Sequence, residues 1–149
     1  ISTDIIVGFP GETETEFNDT LQVMKQVNFS NAFMFKYSSR PGTKASEYSD
    51  QINETIKQSR LESVIKLQKD ITLKVNQQYI GKNVKVLIEK ESKKSCKQWA
   101  GRTDGNTWVI FDKNNEKIKD MVNVHIHDAQ GVTLFGNRIL AKESTYEVS

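Results

Sequence analysis

The chain has 149 residues, a formal net charge of +2 and a single cysteine, Cys96. That length holds one ordinary domain or two small ones, and no apolar run approaches the roughly 18 residues of a membrane-spanning helix. One cysteine excludes an internal disulfide and cannot alone hold an iron–sulfur cluster or a tetrahedral zinc, so the cysteine usage points to the cytosol.

Ile5-Ile6-Val7 is a continuous apolar run, the pattern of a strand covered on both faces in a parallel sheet. Gly8-Phe9-Pro10-Gly11 breaks it sharply. Thr13 with Glu16 three residues on makes a capping box, and Glu12, Glu14 and Glu16 suit the positive end of a helix dipole. Phe17, Leu21, Met24 and Val27 then recur at helical spacing, and a second strand runs from Ala32 to Tyr37. Strand, helix and strand in this order form a βα unit of an α/β sheet or barrel. So few elements cannot bury a core of their own. With Ile1 rather than Met in first place, the expectation is a piece cut from a longer protein, with exposed sheet edges that self-associate.

After the loop Ser38–Thr43, a stretch from Ser49 to Tyr79 without Gly or Pro reads as a long connecting helical segment, with Gly81 as its stop signal. Alternation then takes over. Val84, Val86 and Ile88 lie on one side of an extended chain, and Trp108–Phe111, Met121–His127 and Val132–Gly136 continue the series between turns rich in Gly and Asn. The fold class expected is α/β plus all-β, ending in a small antiparallel barrel. The boundaries expected are 1–48 for the α/β part, 49–79 for the connecting segment, 80–142 for the barrel and 143–149 for a tail.

Charge is distributed unevenly. Lys82, Lys85, Lys90, Lys93, Lys94, Lys97 and Arg102 face only Glu89 and Glu91 within one stretch, the asymmetry of a polyanion-binding surface or of a solvated lysine-rich loop. Trp99 lies among these cations, and a cation–aromatic mixture suits looped or single-stranded RNA. Trp108 and Phe111 read as core. His125 and His127 share one side of a strand without an evident third ligand, and Cys96 has no neighbouring base to make it a nucleophile. Arg40, in a loop after a strand, is placed to clamp a carboxylate or phosphate. Ile6 and Gly8 sit at a strand's C-terminal end, where ligands collect in α/β barrels.

Two motifs combine. Thr3-Asp4-Ile5-Ile6-Val7-Gly8-Phe9-Pro10-Gly11-Glu12-Thr13, followed by Phe33-Met34-Phe35-Lys36-Tyr37-Ser38-Ser39-Arg40-Pro41-Gly42-Thr43, resembles the last βα units of the TIM-like barrel in radical S-adenosylmethionine methylthiotransferases. Gly101-Arg102-Thr103-Asp104, Asn106, Val109, Phe111 and Leu134-Phe135-Gly136 resemble the OB-like TRAM domain that closes those enzymes. Ser39 departs from the family, where proline is common. The Arg40-Pro41-Gly42-Thr43 loop is similar to the branch acting on tRNA, with prenylated adenosine ahead of threonylcarbamoyladenosine as the substrate.

The resemblance implies S-adenosylmethionine and two 4Fe–4S clusters as cofactors in the intact enzyme, with the cluster cysteines upstream and no catalytic residue or metal ligand within this stretch. It implies Ile6, Gly8, Phe35, Tyr37 and Arg40 near S-adenosylmethionine. It further implies Lys93, Lys94, Lys97, Trp99 and Arg102 on RNA, with the anticodon stem-loop of a tRNA and the upstream domains of the same protein as partners. A non-catalytic RNA- or protein-binding barrel module is the alternative.

Overall fold

The computed structural model describes residues 1–139, so the tail expected at 143–149 lies outside the described residues. The chain divides into two compact units, the first Ile1–Val75 and the second beginning at Asn76.

In the first unit, β1 (Ser2–Val7) and β2 (Asn31–Lys36) pair in parallel, from Ser2 opposite Asn31 to Val7 opposite Lys36. Helix α1 (Glu14–Val27) connects them. Its capping box forms as expected: Glu16 N–H donates to Thr13 Oγ1 at 3.2 Å, and Thr13 N–H donates to the Glu16 carboxylate at 2.8 Å. Asn28, at φ 52°, closes the other end in the left-handed conformation.

A single 3₁₀ turn at Lys44–Glu47 precedes α2 (Glu54–Gln77), which begins where the Asn53 side chain accepts the Thr55 N–H at 2.8 Å. The helical stretch expected from Ser49 is therefore shorter, because 49–53 instead run past the Gly8–Gly11 turn, where Asp50 O accepts the Gly11 N–H at 3.0 Å. Phe17, Met24, Val64 and Ile71 bury against Ile5, Val7 and Ala32 in one core. Amphipathicity is weak in α2 because it buries polar groups as well. Gln68 Nε2 donates to Phe29 O at 2.8 Å and to Thr72 Oγ1 at 3.1 Å.

Among the described residues, only one face of the β1–β2 pair is covered. On the other, Ile6 is 61%, Phe33 57% and Phe35 54% exposed, so the continuous apolar run of β1 is not covered on both sides as expected. Parity separates these residues from Ile5, Val7 and Ala32, which face the helices.

The second unit is a barrel of β3 (Asn83–Glu91), β4 (Gln98–Arg102), β5 (Trp108–Asp112), β6 (Met121–Gln130) and β7 (Thr133–Arg138), closed in the order β3-β4-β5-β7-β6. It is not wholly antiparallel. β7 returns from the β6 hairpin into the gap beside β5 and runs parallel to it, Trp108 opposite Thr133 and Ile110 opposite Phe135. Val86, Ile88, Val109, Phe111, Val124, Ile126 and Leu134 fill the interior. Irregularities between Ile88 and Lys90 and between Ile126 and Asp128 shift parity by one residue. They turn Lys90 outward and Ala129 inward.

Strand β4 had no alternating signature because its centre is Ala100-Gly101. A Cβ on Gly101 would stand 2.3 Å from Leu87 O, so close strand approach requires glycine there.

Candidate functional sites

In the first unit, Ile6, Phe9, Phe35, Tyr37, Arg40 and Thr43 line a cleft of about 640 Å³ beside the C-terminal ends of β1 and β2. Its walls are apolar and aromatic. Phe9 meets Tyr37 edge-on at 5.2 Å between centroids, and the Tyr37 hydroxyl is buried without a hydrogen-bond partner among the described residues. Arg40 is exposed at the rim and forms no ion pair among the described residues.

The turn that carries Phe9 is braced from α2. Gly8, at φ 74°, donates its N–H to the Glu12 carboxylate and lies beneath the stem of Lys57, whose Cγ would be 2.5 Å from an added Cβ. Arg60 reaches Glu12 through an ion pair of 3.1 Å and a hydrogen bond of 2.9 Å to its carbonyl, and it pairs with Glu14 at 3.2 Å. Glu54, hydrogen-bonded by Lys36 and with Lys57 at 3.7 Å, has its carboxyl held below the usual range, chiefly by the Lys36 hydrogen bond. Four of the five residues expected near the cofactor therefore line one cleft. Gly8 does not, and serves the turn behind it.

On the outside of the barrel, a groove of about 360 Å³ is floored by Trp108, Ile110 and Phe135 and rimmed by Lys90, Lys93 and Lys94. The register explains the floor. Residues opposite one another share a face, so Arg102–Trp108, Trp108–Thr133 and Ile110–Phe135 all project outward while Gly101–Val109 and Trp99–Phe111 project inward. Lys90 Nζ stands 4.5 Å and the Arg102 guanidinium carbon 4.3 Å from the Trp108 ring centroid. Arg102 is held by Asn106 Oδ1 at 2.6 Å and by Glu89 at 3.5 Å.

The family model of the TRAM domain matches residues 77–138, the whole of this barrel. Residues 77–138 are a TRAM domain. Along nearly its full length, the chain is also similar to proteins named tRNA-2-methylthio-N(6)-dimethylallyladenosine synthase. It is 46% identical over 140 residues to that of Christiangramia forsetii, covering 93% of this chain and 29% of the relative. For Porphyromonas gingivalis the identity is 47% over 137 residues, 91% of this chain and 30% of the relative. For Azobacteroides pseudotrichonymphae it is 48% over 138 residues, 92% and 31%. The resemblance read from the motifs holds, and the chain spans about 30% of the length of these relatives.

Within the TRAM domain, the expected RNA contacts separate. Lys93 and Lys94 line the groove, while Lys97 is exposed in the β3–β4 loop away from it. Arg102 is engaged by its neighbours. Trp99 is a correction: only 8% exposed, it belongs to the barrel core, with Lys113 at 4.2 Å over its ring, and offers no surface to a base. Trp108 is the surface tryptophan, and the expectation that it joins Phe111 in the core fails because residues three apart on a strand face opposite ways. Lys90 and Phe135 are further groove residues that sequence reading did not single out for RNA. His125 Nδ1 is 2.8 Å from Asn83 Oδ1 on the exposed side of β6, and the described residues contain no cluster of three or more metal-ligating His, Cys, Asp or Glu side chains.

Proposed function

We propose that this chain is the C-terminal portion of a radical S-adenosylmethionine methylthiotransferase that adds a methylthio group to C2 of prenylated adenosine next to the anticodon of tRNA. The observation that carries the reading is identity of 46–48% to synthases of that name over more than nine-tenths of the chain, TRAM domain included. In this reading residues 1–48 belong to the partial TIM-like barrel, 49–79 connect, and the bare face around Phe33 is where the rest of that barrel packs, with Ile6 and Phe35 left to the cleft. The cluster-binding cysteines lie in the upstream part, and this portion alone is inactive. The setting is the cytoplasm, where tRNA is modified.

The cleft residues fit S-adenosylmethionine. Apolar Ile6 and Phe35 would take the adenine, the unpartnered Tyr37 hydroxyl a polar atom of the nucleoside, and Arg40 the carboxylate. Bound there against a cluster, the cofactor would supply a radical, and the protein's part is positioning. Lys57 and Arg60 hold the Gly8–Gly11 turn, and so Phe9 and Tyr37, in place. Lys93 and Lys94 contribute the electrostatic grip on the tRNA anticodon stem-loop.

The test is binding of an anticodon stem-loop RNA to the chain across a salt series. Neutralising Lys93 and Lys94 together (K93Q/K94Q) is expected to lower affinity and to flatten the dependence of log K on log salt by roughly 1.5, given about 0.7–0.9 per phosphate contact. No affinity at low salt, or a slope untouched by the double substitution, overturns the RNA-binding part of the reading.

A further inference from the structure

The groove has a shape and chemistry more specific than a basic patch. Its floor is aromatic although the barrel interior is already complete: Trp108, Ile110 and Phe135 all point away from the core that Val109, Phe111 and Leu134 fill. Its rim is cationic and unopposed. Among the described residues Lys90, Lys93 and Lys94 form no ion pair, because the nearby carboxylates are engaged elsewhere. Glu89 holds Arg102, Glu91 holds Lys113, and Asp128 accepts from Gln130 and from the Ala129 N–H. Among the described residues no carboxylate lines the groove. Gln130, at one wall, donates its amide to Asp128 at 2.8 Å and leaves its carbonyl oxygen for a donor.

Aromatic floor, unpaired lysines and a single amide wall within about 360 Å³ suit one unpaired nucleotide and exclude a base-paired helix from the floor. We propose that this groove takes one unstacked nucleotide of a looped RNA, its base against Trp108 and Phe135 and its flanking phosphates at Lys93 and Lys94. The inference rests on the reading that this TRAM domain binds RNA. Arg102, fixed by Asn106 and Glu89, stays against the indole as a permanent layer. Lys90, in no ion pair, is the layer that the incoming base displaces, and it moves to a phosphate.

The test compares a short unpaired oligoribonucleotide with a blunt RNA duplex of equal length, using the chain and its W108A and W108F variants. The unpaired RNA is expected to bind and to quench tryptophan emission. W108A is expected to lose roughly 5- to 150-fold in affinity, the range for one base–aromatic stack, with its salt slope unchanged. W108F is expected to keep most of the affinity but lose the quench, since Trp99 is buried. Duplex affinity should be the same in all three proteins.

Wild-type affinity in W108A overturns the stacking site while leaving RNA binding standing. Failure of the unmodified chain to bind either RNA overturns both. Should W108A unfold, as Trp99 emission would report, a quench that persists in W108F overturns the stacking site by itself.

Discussion

Substituting Arg60 by Met tests whether α2 braces the Gly8–Gly11 turn. The Arg60 side chain is 9% exposed and that of Glu12 12%, so the pair is nearly out of water, whereas Glu14 is 73% exposed. The Glu14 contact contributes at most about 1 kcal/mol. Glu12 decides the outcome. Without Arg60 its buried carboxylate keeps only the Gly8 N–H, and stranding a buried charge costs about 3–5 kcal/mol. Met keeps an unbranched apolar stem and removes the guanidinium Nε, which is buried without a partner among the described residues. That gain offsets the loss of the guanidinium's 5.2 Å contact with the Phe17 ring, so the lower end, about 3 kcal/mol, is expected.

The assay is urea unfolding followed by ellipticity at 222 nm, to which α1 and α2 contribute, alongside tryptophan emission. Both tryptophans lie in the TRAM domain, so emission reports the barrel separately. R60M should move the helical transition to lower urea. Adding E12Q should restore most of the loss, because the neutral amide leaves no charge to strand and its oxygen still accepts from the Gly8 N–H. An R60M protein within about 1 kcal/mol of the parent, or a double variant no better than R60M, would refute the reasoning.

Gly101→Ala places a methyl 2.3 Å from Leu87 O and 2.6 Å from Val86 Cγ1, where backbone must yield, so the emission transition is expected to fall by about 1–3 kcal/mol or more. An unchanged midpoint would mean that β3 and β4 do not approach as described. Glu116 gives a pH prediction. Burial pushes its carboxyl up, but N–H donors of Asn114 and of Glu116 itself, with the Arg138 guanidinium, outweigh that and hold it below the ordinary 4.5. A lowered folded value means that the stabilisation is complete above pH 4.5 and is lost as pH falls through the folded value. E116Q should therefore be less stable at neutral pH and show a flatter acid limb in a pH series of melting temperatures, and parallel limbs would contradict it.

Much of the fold was legible because it rests on local rules. Thr13 and Glu16 announced α1, and Val84–Val86–Ile88 and Val122–Val124–Ile126 announced their strands by period. The bare face of β1 was not legible: Ile6 is as apolar as Ile5, and only the register with β2 and the position of α2 show which is covered. Strand β4 was hidden because close packing demanded the small residues that erase an alternating signal. The two tryptophans were assigned the wrong way round, although half of the answer was present. Trp108 and Phe111 differ by an odd number of positions, so they cannot share a face. That Trp99 goes inward required its pairing with Phe111, a long-range fact. Likewise Gly8 appeared beside a ligand by position alone, and nothing local revealed that Lys57 and Arg60, dozens of residues away, close over its turn.

The insertion of β7 between β5 and β6 has a consequence for how the barrel comes into being. A chain synthesised only as far as Gln130 holds four of the five strands, yet β5 and β6 each have an edge with no hydrogen-bonding neighbour. The ring is sealed by the last of its own five strands to be made, through contacts distant in sequence, as from Trp108 to Thr133. Closure of the ring therefore waits for its last strand and is slow for the barrel's size. Until then, the half-made sheet presents open edges to any strand that drifts past.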